Sequence, residues 1–405
     1  TTGTQNVAVG AYALDANTTG DKNIGIGYSA LGANTTASYN TAIGDNSLQS
    51  NTTGASNVAV GYVALNANTT ANYNTAVGEA ALAVNTTGAY NVAVGANALD
   101  ANTTGGYNNA VGQNSLGANT TGNYNVAMGQ DALANNTTGG SNVVVGRNSM
   151  LDNTTGNYNV AVGQAALANN TTAEGNVAIG NDALYANTTG SSNTAVGHEA
   201  GDAITTGTVN AAVGRQALTQ CTTGVANACM GEAAGHQITT GDNNACLGRD
   251  SGTSNSPVHI TTGDNIVCLG NNSTSELYCA DTSISSSDRR DKTDIENFTH
   301  GLDWITAMNP VTYRWDRRSW YGDGYEKGTP DGSKKRNKLH IGFIAQEAIE
   351  VEKKFGYGQN RDNMLIVNEN TDEDPSYGYK YERLVPVLVN AIKELSAKVT
   401  ALEAK

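Results

Sequence analysis

Ser287 and Lys292 are the residues of this sequence whose types and spacing could break a covalent bond. A serine hydroxyl attacks a peptide carbonyl when a neighbouring base accepts its proton, and Ser–Lys is an established nucleophile–base pair. A lysine is such a base only when neutral, which burial or nearby positive charge favours. Arg289 and Arg290 supply positive charge between the two residues. The spacing alone is far more frequent in surface loops, so its meaning depends on the surrounding sequence.

Four tyrosines could bind a ligand. Tyr73, Tyr90, Tyr107 and Tyr124 recur at one constant interval and would stand in a ladder if each occupied one turn of a repeating structure. Exposed aromatic rings can stack against sugar rings, and they can equally pack neighbouring turns together. Packing of the turns is the more common role, and both interpretations stay open at the level of sequence.

A strict repeat must position these residues. The unit Asn-Thr-Thr-Gly-x-x-Asn-x-Ala-Val-Gly-x-x-Ala-Leu-x-Ala begins at Asn17 and returns with a constant period of seventeen as far as Asn187. Thr1 stands at the second position of a copy, so we count about sixteen units and expect a longer natural chain. Seventeen residues are too few for a helical-hairpin repeat or a propeller blade but suit one coil of a β-solenoid. Weaker copies begin at Ile204, Cys221, Ile238 and, after a five-residue insertion, Ile260.

The pattern inside a unit predicts which columns are buried. Positions 8 to 10 alternate as a short strand does, so positions 8 and 10 face one way and position 9 the other. Position 10 is large and apolar and position 15 is usually Leu, and we expect both columns to line the coil interior. Position 9 is small, usually Ala, which suggests close approach of another chain. Where Gly replaces this Leu, the next copy opens with Ile instead of Asn, so the Ile should be buried in the vacated space. The three pairs are Gly201 with Ile204, Gly235 with Ile238 and Gly252 with Ile260.

Glycine and asparagine mark the corners of each coil. Gly at position 11, and often at position 4, indicates a positive φ or a close approach that excludes a side chain. Asn at positions 1 and 7 tolerates left-handed geometry, and stacked Asn side chains can hydrogen-bond from rung to rung. The Asn-x-Ala-Val-Gly-x-x-Ala units resemble the heads of trimeric autotransporter adhesins of the YadA type. This resemblance covers residues 1–270 and implies a left-handed parallel β-roll in which three chains pack around one axis.

The chain changes character near residue 280. Residues 281–405 hold 19 of the 23 Lys and Arg, all three Trp and all three Phe. Four motifs follow one another there, and in this order they resemble the C-terminal intramolecular chaperone domain of phage endosialidases and other tail spikes. The motifs are Ser287-Asp-x-Arg-x-Lys, Gly301-Leu-Asp-Trp-Ile, Asn309-Pro-Val-Thr-Tyr-Arg-Trp and His340-Ile-Gly-Phe-Ile-Ala-Gln-Glu.

This second resemblance implies self-processing. Residues 287–405 would trimerise, guide assembly of the fibre ahead of them, and then cut the chain before Ser287. The Ser287 hydroxyl would attack the carbonyl of Ser286, Lys292 would accept the proton, and water would hydrolyse the ester in a single turnover. Such a chain does not turn over external substrates. Candidates to support the oxyanion, for which a purely structural role is equally open, are His340, Gln346 and Glu347.

The last segment, residues 381–405, is predicted to be a helix with a coiled-coil seam. Its apolar residues are spaced by 4, 3, 4 and 3 positions, as the a and d sites of a heptad are. Ile and Val at a with Leu at d favour two strands on coiled-coil rules alone, so the seam predicts only that chains associate here. The number three rests on the family resemblance and the rod of stacked coils. The seam consists of Leu388, Ile392, Leu395, Val399 and Leu402.

Several other kinds of site and partner are not expected. Side chains on successive parallel rungs point the same way, which does not suit disulfides, and the cysteines lack metal-ligand spacing. We therefore expect small buried hydrophobes, no metal and no cofactor. The net charge of -14 argues against nucleic acid, and no apolar run has the length of a membrane span. The cysteines are Cys221, Cys229, Cys246, Cys268 and Cys279.

The sequence thus predicts a mostly β, trimeric left-handed parallel β-roll or solenoid over residues 1–270. A linker over 271–286 and a small α+β chaperone domain over 287–405, ending in the coiled-coil helix, should follow. The favoured function is a homotrimeric phage tail fibre or spike on the virion that attaches to a host surface glycan or receptor. The alternative is a bacterial cell-surface adhesin stalk that retains its end domain. A glycan-cleaving spike is disfavoured, because the repeat offers no facing carboxylate pair.

Overall fold

A computed structural model of the 405-residue chain forms two compact units, Thr1–Asn271 and Asn272–Lys405. Each unit is considered by itself below. The residues that the structure describes are 2–274, 292–316, 318, 321, 328–369 and 377–405.

The first unit is a β-solenoid built on one parallel sheet of sixteen strands. Each coil contributes a strand of three residues that pairs with the strand of the next copy of the repeat, as Val58 pairs with Thr75. The insertion lengthens only the last step, from Ala245 to Val267. The strands are β1 (Val7–Val9), β2 (Ile24–Ile26), β3 (Thr41–Ile43), β4 (Val58–Val60), β5 (Thr75–Val77), β6 (Val92–Val94), β7 (Asn109–Val111), β8 (Val126–Met128), β9 (Val143–Val145), β10 (Val160–Val162), β11 (Val177–Ile179), β12 (Thr194–Val196), β13 (Ala211–Val213), β14 (Ala228–Met230), β15 (Ala245–Leu247) and β16 (Val267–Leu269).

The turns of each coil are bonded to the next coil as regularly as the strands are. The amide of Leu65 donates to the carbonyl of Ala81 at 2.9 Å, and the equivalent amide of Leu82 donates to Ala98 at 3.0 Å. Buried backbone groups therefore find partners even where the chain is not a strand, which a buried turn requires. The 17-residue period is confirmed as the length of one coil.

The interior of the coil is lined by positions 9, 14 and 15. Ala59, Ala64 and Leu65 are fully buried, whereas position 10 points outward, with Met128 46% exposed. The prediction that position 10 lines the interior is therefore wrong, as is the inference that another chain approaches position 9. The reason is steric: a Cβ on Gly25, at position 9, would lie only 3.2 Å from Cγ of Leu14. The Leu of position 15 fills the narrow coil and leaves room for little more than a methyl group opposite.

The exchange between Leu and Ile is confirmed. Ile204, Ile238 and Ile260 are at most 1% exposed. A Cβ on Gly201 would lie 3.0 Å from Cδ1 of Ile204 and 3.2 Å from Cδ2 of Leu184, so the isoleucine occupies the space of the absent leucine. One side chain fills the interior either from position 15 or from the first position of the following copy.

The asparagine ladders are confirmed, but not the geometry expected for them. Asn68 Nδ2 donates to Asn51 Oδ1 at 2.9 Å, and the amide nitrogen of Asn74 donates to Asn57 Oδ1 at 2.9 Å. Both columns are buried, and the left-handed residues instead occupy positions 6, 13 and 15, among them Leu65 with φ 53°. The Asn residues are placed by their ladder bonds, so residue preference for left-handed φ did not identify the turns.

Glycine at position 11 is required both by a positive φ and by the close approach of the neighbouring coil, the two reasons that the sequence suggested. Gly27 has φ 128°, and a Cβ there would lie 2.6 Å from the carbonyl carbon of Gly44 in the next coil. A side chain at this corner would thus meet the backbone of the neighbouring rung as well as an unfavourable φ.

The second unit is a small α+β arrangement around one aromatic core. Trp304 is fully buried and stacks on Phe355 with ring centroids 4.9 Å apart, and Val351, Leu384 and Val387 complete the core. Strands β17 and β18 form one antiparallel pair, and β19 and β20 form another. The elements are α1 (Leu302–Ala307), β17 (Val311–Tyr313), β18 (His340–Gly342), α2 (Ala345–Lys354), a 3₁₀ turn (Arg361–Asn363), β19 (Val367–Glu369), β20 (Tyr377–Tyr379), a 3₁₀ turn (Tyr381–Arg383) and α3 (Leu384–Glu403).

Helix α1 is fixed against α3 by polar contacts at its start. Asn390 Nδ2 donates to the carbonyl of Phe298 at 2.7 Å, and Glu394 Oε2 accepts from the amide of Leu302 at 3.2 Å. A Cβ on Gly301 would lie 2.5 Å from the backbone nitrogen of Ala391, so the glycine allows the close approach. Residues 298–302 are thereby tied to the last helix of the unit.

Candidate functional site

The predicted cleavage pair is only partly within the described residues. Ser286 and Ser287 lie outside them, together with Arg289 and Arg290. Lys292 is exposed, near the start of an irregular segment that leads to α1. The structure therefore gives the position of the proposed base but not its distance to the proposed nucleophile.

His340 lies in an aromatic cluster on the first hairpin. It faces Tyr313 across the β17–β18 pair, and the two rings stack with centroids 5.6 Å apart and planes 19° apart. The ring of Trp315 meets His340 edge-on at 6.3 Å. These contacts hold the imidazole ring in place from one side, and a structural role for it needs no further partner.

Gln346 and Glu347 lie on the exposed first turn of α2. Glu347 Oε2 accepts a hydrogen bond from Asn309 Nδ2 at 3.3 Å, which links α2 to the segment before β17. Both side chains lie on the exposed side of α2, while the ring of His340 contacts Tyr313 of β17 and Trp315. Glu347 thus contacts the segment before β17, whereas His340 contacts Tyr313 and Trp315.

Glu352 is a buried polar residue that sequence reasoning missed. Its carboxylate accepts three backbone hydrogen bonds, from Leu365 at 2.9 Å, Ile366 at 2.7 Å and Val367 at 3.0 Å, and so anchors the start of β19 to α2. The signal was available: Glu352 falls four residues after Ala348 on the apolar stripe of α2. A carboxylate on such a stripe must be paired inside the fold.

Next to this carboxylate lies a half-buried tyrosine. The hydroxyl of Tyr379 is buried without a hydrogen-bond partner. Burial raises the pKa of Tyr379, and the neighbouring Tyr381 and Glu352 raise it further. The phenol therefore stays protonated, and this corner of the unit is a structural anchor.

The four repeated tyrosines form the ladder that their spacing predicts. Neighbouring rings from Tyr73 to Tyr124 are 5.0, 4.9 and 5.1 Å apart, with planes within 16° of parallel. Each ring remains between 47% and 62% exposed. The faces of Tyr90 and Tyr107 are covered by their neighbours, so these two rings offer edges and hydroxyl groups to the solvent.

One apolar column runs along the outside of the solenoid. Position 10 keeps a large apolar side chain in coil after coil, although it faces outward. Monomeric proteins rarely expose contiguous apolar surface on this scale. Members that are at least 36% exposed are Val9, Ile26, Ile43, Val77, Val94, Val111, Met128, Ile179, Val213, Met230, Leu247 and Leu269. We call this set the outer column.

Helix α3 exposes its predicted seam. All five seam residues are between 42% and 70% exposed, with Leu402 the most exposed. The helix buries another side, through Leu384, Val387 and Ala391, against its own unit. The heptad pattern therefore marks surface that the single chain leaves uncovered.

Four cysteines are buried, as expected for small hydrophobes, and the fifth, Cys279, lies outside the described residues. A Cβ on Gly252 would lie 2.5 Å from Cys246 Sγ, so the thiol fills space beside the glycine. Burial raises the pKa of Cys221 to about 11, which keeps that thiol protonated. Across the described ranges no cluster of His, Cys, Asp and Glu could hold a metal ion. No helix among the same residues has the length and apolarity needed to cross a membrane.

Comparison with known proteins adds one finding. No curated protein and no solved structure matches the chain. Residues 287–357 match the family model described as chaperone of endosialidase. A β-solenoid followed by such a segment fits a tail fibre or a similar spike, and over residues 287–357 this chain is similar to the endosialidase chaperone family.

Proposed function

We propose that the chain is one subunit of a homotrimeric phage tail fibre or spike. In this proposal the solenoid is the shaft, and the second unit brings three chains together and afterwards separates by cutting its own chain. The assembled fibre is part of the virion and attaches it to a glycan or another receptor on the host surface. The only partners required are two further copies and that receptor.

The outer column carries the proposal. An exposed apolar side chain at one position of nearly every coil is costly for a solitary solenoid and is stabilising once identical columns pack together. At roughly 25 cal/mol per Å² of buried apolar area, a dozen such side chains supply a large driving force even if each buries only part of its surface. The exposed seam of α3 offers a second surface of the same kind. The similarity of residues 287–357 to the chaperone family supports the choice of three copies over two.

Self-cleavage follows the chemistry of an acyl shift. The Ser287 hydroxyl oxygen bonds to the carbonyl carbon of Ser286, the C–N bond breaks, and the proton released by the hydroxyl passes through Lys292 to the freed nitrogen. Water then hydrolyses the ester, which leaves a carboxylate on Ser286 and restores the Ser287 hydroxyl. Support for this route comes from the residue types and from the match at 287–357.

A denaturing gel and sedimentation of the same purified chain test the proposal together. We expect a fragment of residues 287–405 that disappears in Ser287→Ala and Lys292→Ala but persists in Ser285→Ala. The uncut Ser287→Ala chain should sediment at three times 41.8 kDa. Sedimentation as a folded monomer contradicts the fibre, and a fragment that survives Ser287→Ala contradicts the cleavage route.

A bacterial surface adhesin stalk is the second candidate. It would use the same outer column for trimerisation but keep its end unit attached. A trimer that never releases residues 287–405, with the native serine and lysine in place, favours this alternative.

A further inference from the structure

Position 6 of the repeat holds a longer aromatic column than the four-ring ladder. A serine interrupts the run once on each side of the ladder, and another tyrosine stands beyond each serine. We call the whole set the tyrosine column. In chain order it reads Tyr39, Ser56, Tyr73, Tyr90, Tyr107, Tyr124, Ser141 and Tyr158.

From this arrangement we infer that the tyrosine column contains two binding slots for a pyranose ring of a glycan. One slot lies between Tyr39 and Tyr73 above Ser56, and the other lies between Tyr124 and Tyr158 above Ser141. In each slot, the two tyrosine faces would sandwich the sugar ring. The inference deepens the proposed attachment of the fibre to a surface glycan and rests on that function for its biological meaning.

The spacing of the rungs makes each slot one ring wide. Rings on adjacent rungs stack 4.9 to 5.1 Å apart in the ladder. A serine in place of one tyrosine leaves two rungs, or about 10 Å, between the flanking rings. A ring-shaped ligand in this gap takes the position of the absent phenol and makes the same stacking contact on both faces.

Exposure agrees with open slots. The four rings that border the slots are 55% to 68% exposed, whereas Tyr90 and Tyr107 inside the ladder are 47% and 49% exposed. On its other side Tyr39 already has a partner, since Lys22 Nζ lies 5.0 Å from its ring centroid. For Tyr39, Tyr73 and Tyr124 the other ring face already has a partner, so their uncovered face is the one that looks into a slot.

The backbone of the turn does not require tyrosine at position 6. Position 6 is left-handed, with φ 65° at Tyr39 and 59° at Tyr158, a conformation in which bulky residues are uncommon. In other coils the same position holds Lys22, Gly175, Val209 and Asn243, so this left-handed turn accepts residues of several kinds. Tyrosine at both borders of both slots is thus not dictated by the turn, which leaves a role for the rings themselves.

The floors of the two slots are built alike and are polar. In each, a small residue precedes the serine, and its amide donates to an asparagine of the next coil: Ala55 to Asn72 Oδ1 at 2.7 Å, and Gly140 to Asn157 Oδ1 at 2.8 Å. A pyranose has apolar faces and a rim of hydroxyl groups, so it suits two ring faces above a serine hydroxyl and an amide side chain. A purely aromatic ligand would leave the serine hydroxyl and the asparagine side chain of the slot without hydrogen-bond partners.

Saturation-transfer NMR on the full chain tests the slots. The probes are chitotriose and cellotriose, whose β-linked rings carry equatorial substituents and present apolar faces. We expect transfer from aromatic protein protons to the sugar ring protons. Binding should weaken by roughly tenfold or more in the double variant Ser56→Tyr/Ser141→Tyr, because two stacking contacts per slot are lost. Ser192→Tyr, at the same position between Gly175 and Val209, is the matched control and should bind as the native chain does.

A second pair of variants opens the slots instead of filling them. Tyr39→Ser/Tyr158→Ser removes one of the two ring faces of each slot and should weaken binding by roughly threefold or more, while Tyr62→Ser, an exposed tyrosine outside the column, should not. Absence of transfer in the native chain, undiminished transfer in the filled variant, or slot-dependent binding of phenol without the sugars would overturn the inference. Sedimentation of the same samples separates the two proposals: trimers without sugar transfer leave the fibre intact, and monomers with transfer leave the slots intact.

Discussion

The two units bury their cores in opposite ways. In the solenoid, each buried side chain meets equivalents one coil away, as when Asn68 bonds to Asn51 17 residues before it. In the second unit, the core joins segments distant in sequence, and Asn390 bonds to the carbonyl of Phe298 92 residues earlier. The solenoid resembles a one-dimensional array of like units, whereas the second unit has contacts that exist only once.

This difference has consequences for damage and for assembly. A defect in one coil weakens two neighbours and leaves the remaining interfaces unchanged. A defect at the core of the second unit removes contacts that have no substitute elsewhere. In the proposed fibre, where this unit would form first and then align three repetitive chains, such all-or-none folding would be an advantage, because a repetitive sheet alone offers many registers.

Trp304→Ala is the change with the largest expected effect on this comparison. It should destabilise the second unit by about 3–5 kcal/mol, since it deletes a buried indole that stacks on Phe355. Hydrogen exchange of the full chain should then show loss of protection throughout α1, α2 and α3. Leu99→Ala is the counterpart in the solenoid and should cost about 2–5 kcal/mol, with lost protection confined to the adjacent coils. Uniform loss across β1 to β16 in that variant would refute the modular description.

The exchange between Leu and Ile allows a sharper test, with a somewhat smaller effect. Gly201→Leu alone should be destabilising by about 1–3 kcal/mol, since its side chain meets Ile204. Ile204→Asn alone should be destabilising because it empties the same space. Together they restore the common pattern, and the new Asn can donate to the buried, unpaired Oδ1 of Asn187. Urea unfolding should show the double variant less destabilised than the sum by about 0.5–3 kcal/mol.

Gly235→Leu/Ile238→Asn is the control for this cycle. A Cβ on Gly235 meets Cys229 Sγ, so the thiol occupies part of the space and the pair should not be rescued. Absence of rescue in both double variants would show that the two positions do not share one interior space, and equal rescue in both would show that Cys229 does not compete for it.

The sequence predicted those features of the solenoid for which a residue type has a single physical explanation. The period, the buried Ile204 and the Asn ladders follow from volume and hydrogen bonding alone. The inward face could not be predicted that way, because a three-residue strand such as Val58–Val60 offers a small and a large apolar face. The choice depends on Leu65 reaching across the coil, which is a tertiary fact. The left-handed leucines were missed for the same reason, since burial overrides their backbone preference.

The second unit was predicted from its sequence motifs, but most of its tertiary contacts were not predicted. Helix α3 and its seam follow from heptad spacing, which is a local property. The three hydrogen bonds of Glu352 depend on where residues 365–367 return to α2, and spacing cannot give that position. His340 was assigned by its motif, whereas its stacking on Tyr313 depends on how β17 and β18 pair.

The smallest predicted effect is a pH dependence of stability in the solenoid. Ionisable groups are sparse there, so the contribution of one carboxyl group can be measured. Burial raises the pKa of Asp202 to about 6, and the negative charges of Glu199 and Asp182 add to it. The folded state then binds more protons than the unfolded state between the ordinary carboxyl value and that pKa. Stability therefore falls as pH rises through this window. Because Asp202 is half-exposed, solvent screening should hold the loss below about 1 kcal/mol.

Asp202→Asn should remove this dependence, since the amide carries no charge at any of these pH values. Melting of the native chain at about pH 4.5 and about pH 7.5 should differ more than melting of the variant does. Glu79→Gln, an exposed substitution in another coil, should leave the native difference unchanged. The same loss of pH dependence in both variants would mean that the solenoid responds to its summed charge, and the description by single coils would then fail for electrostatics while holding for packing.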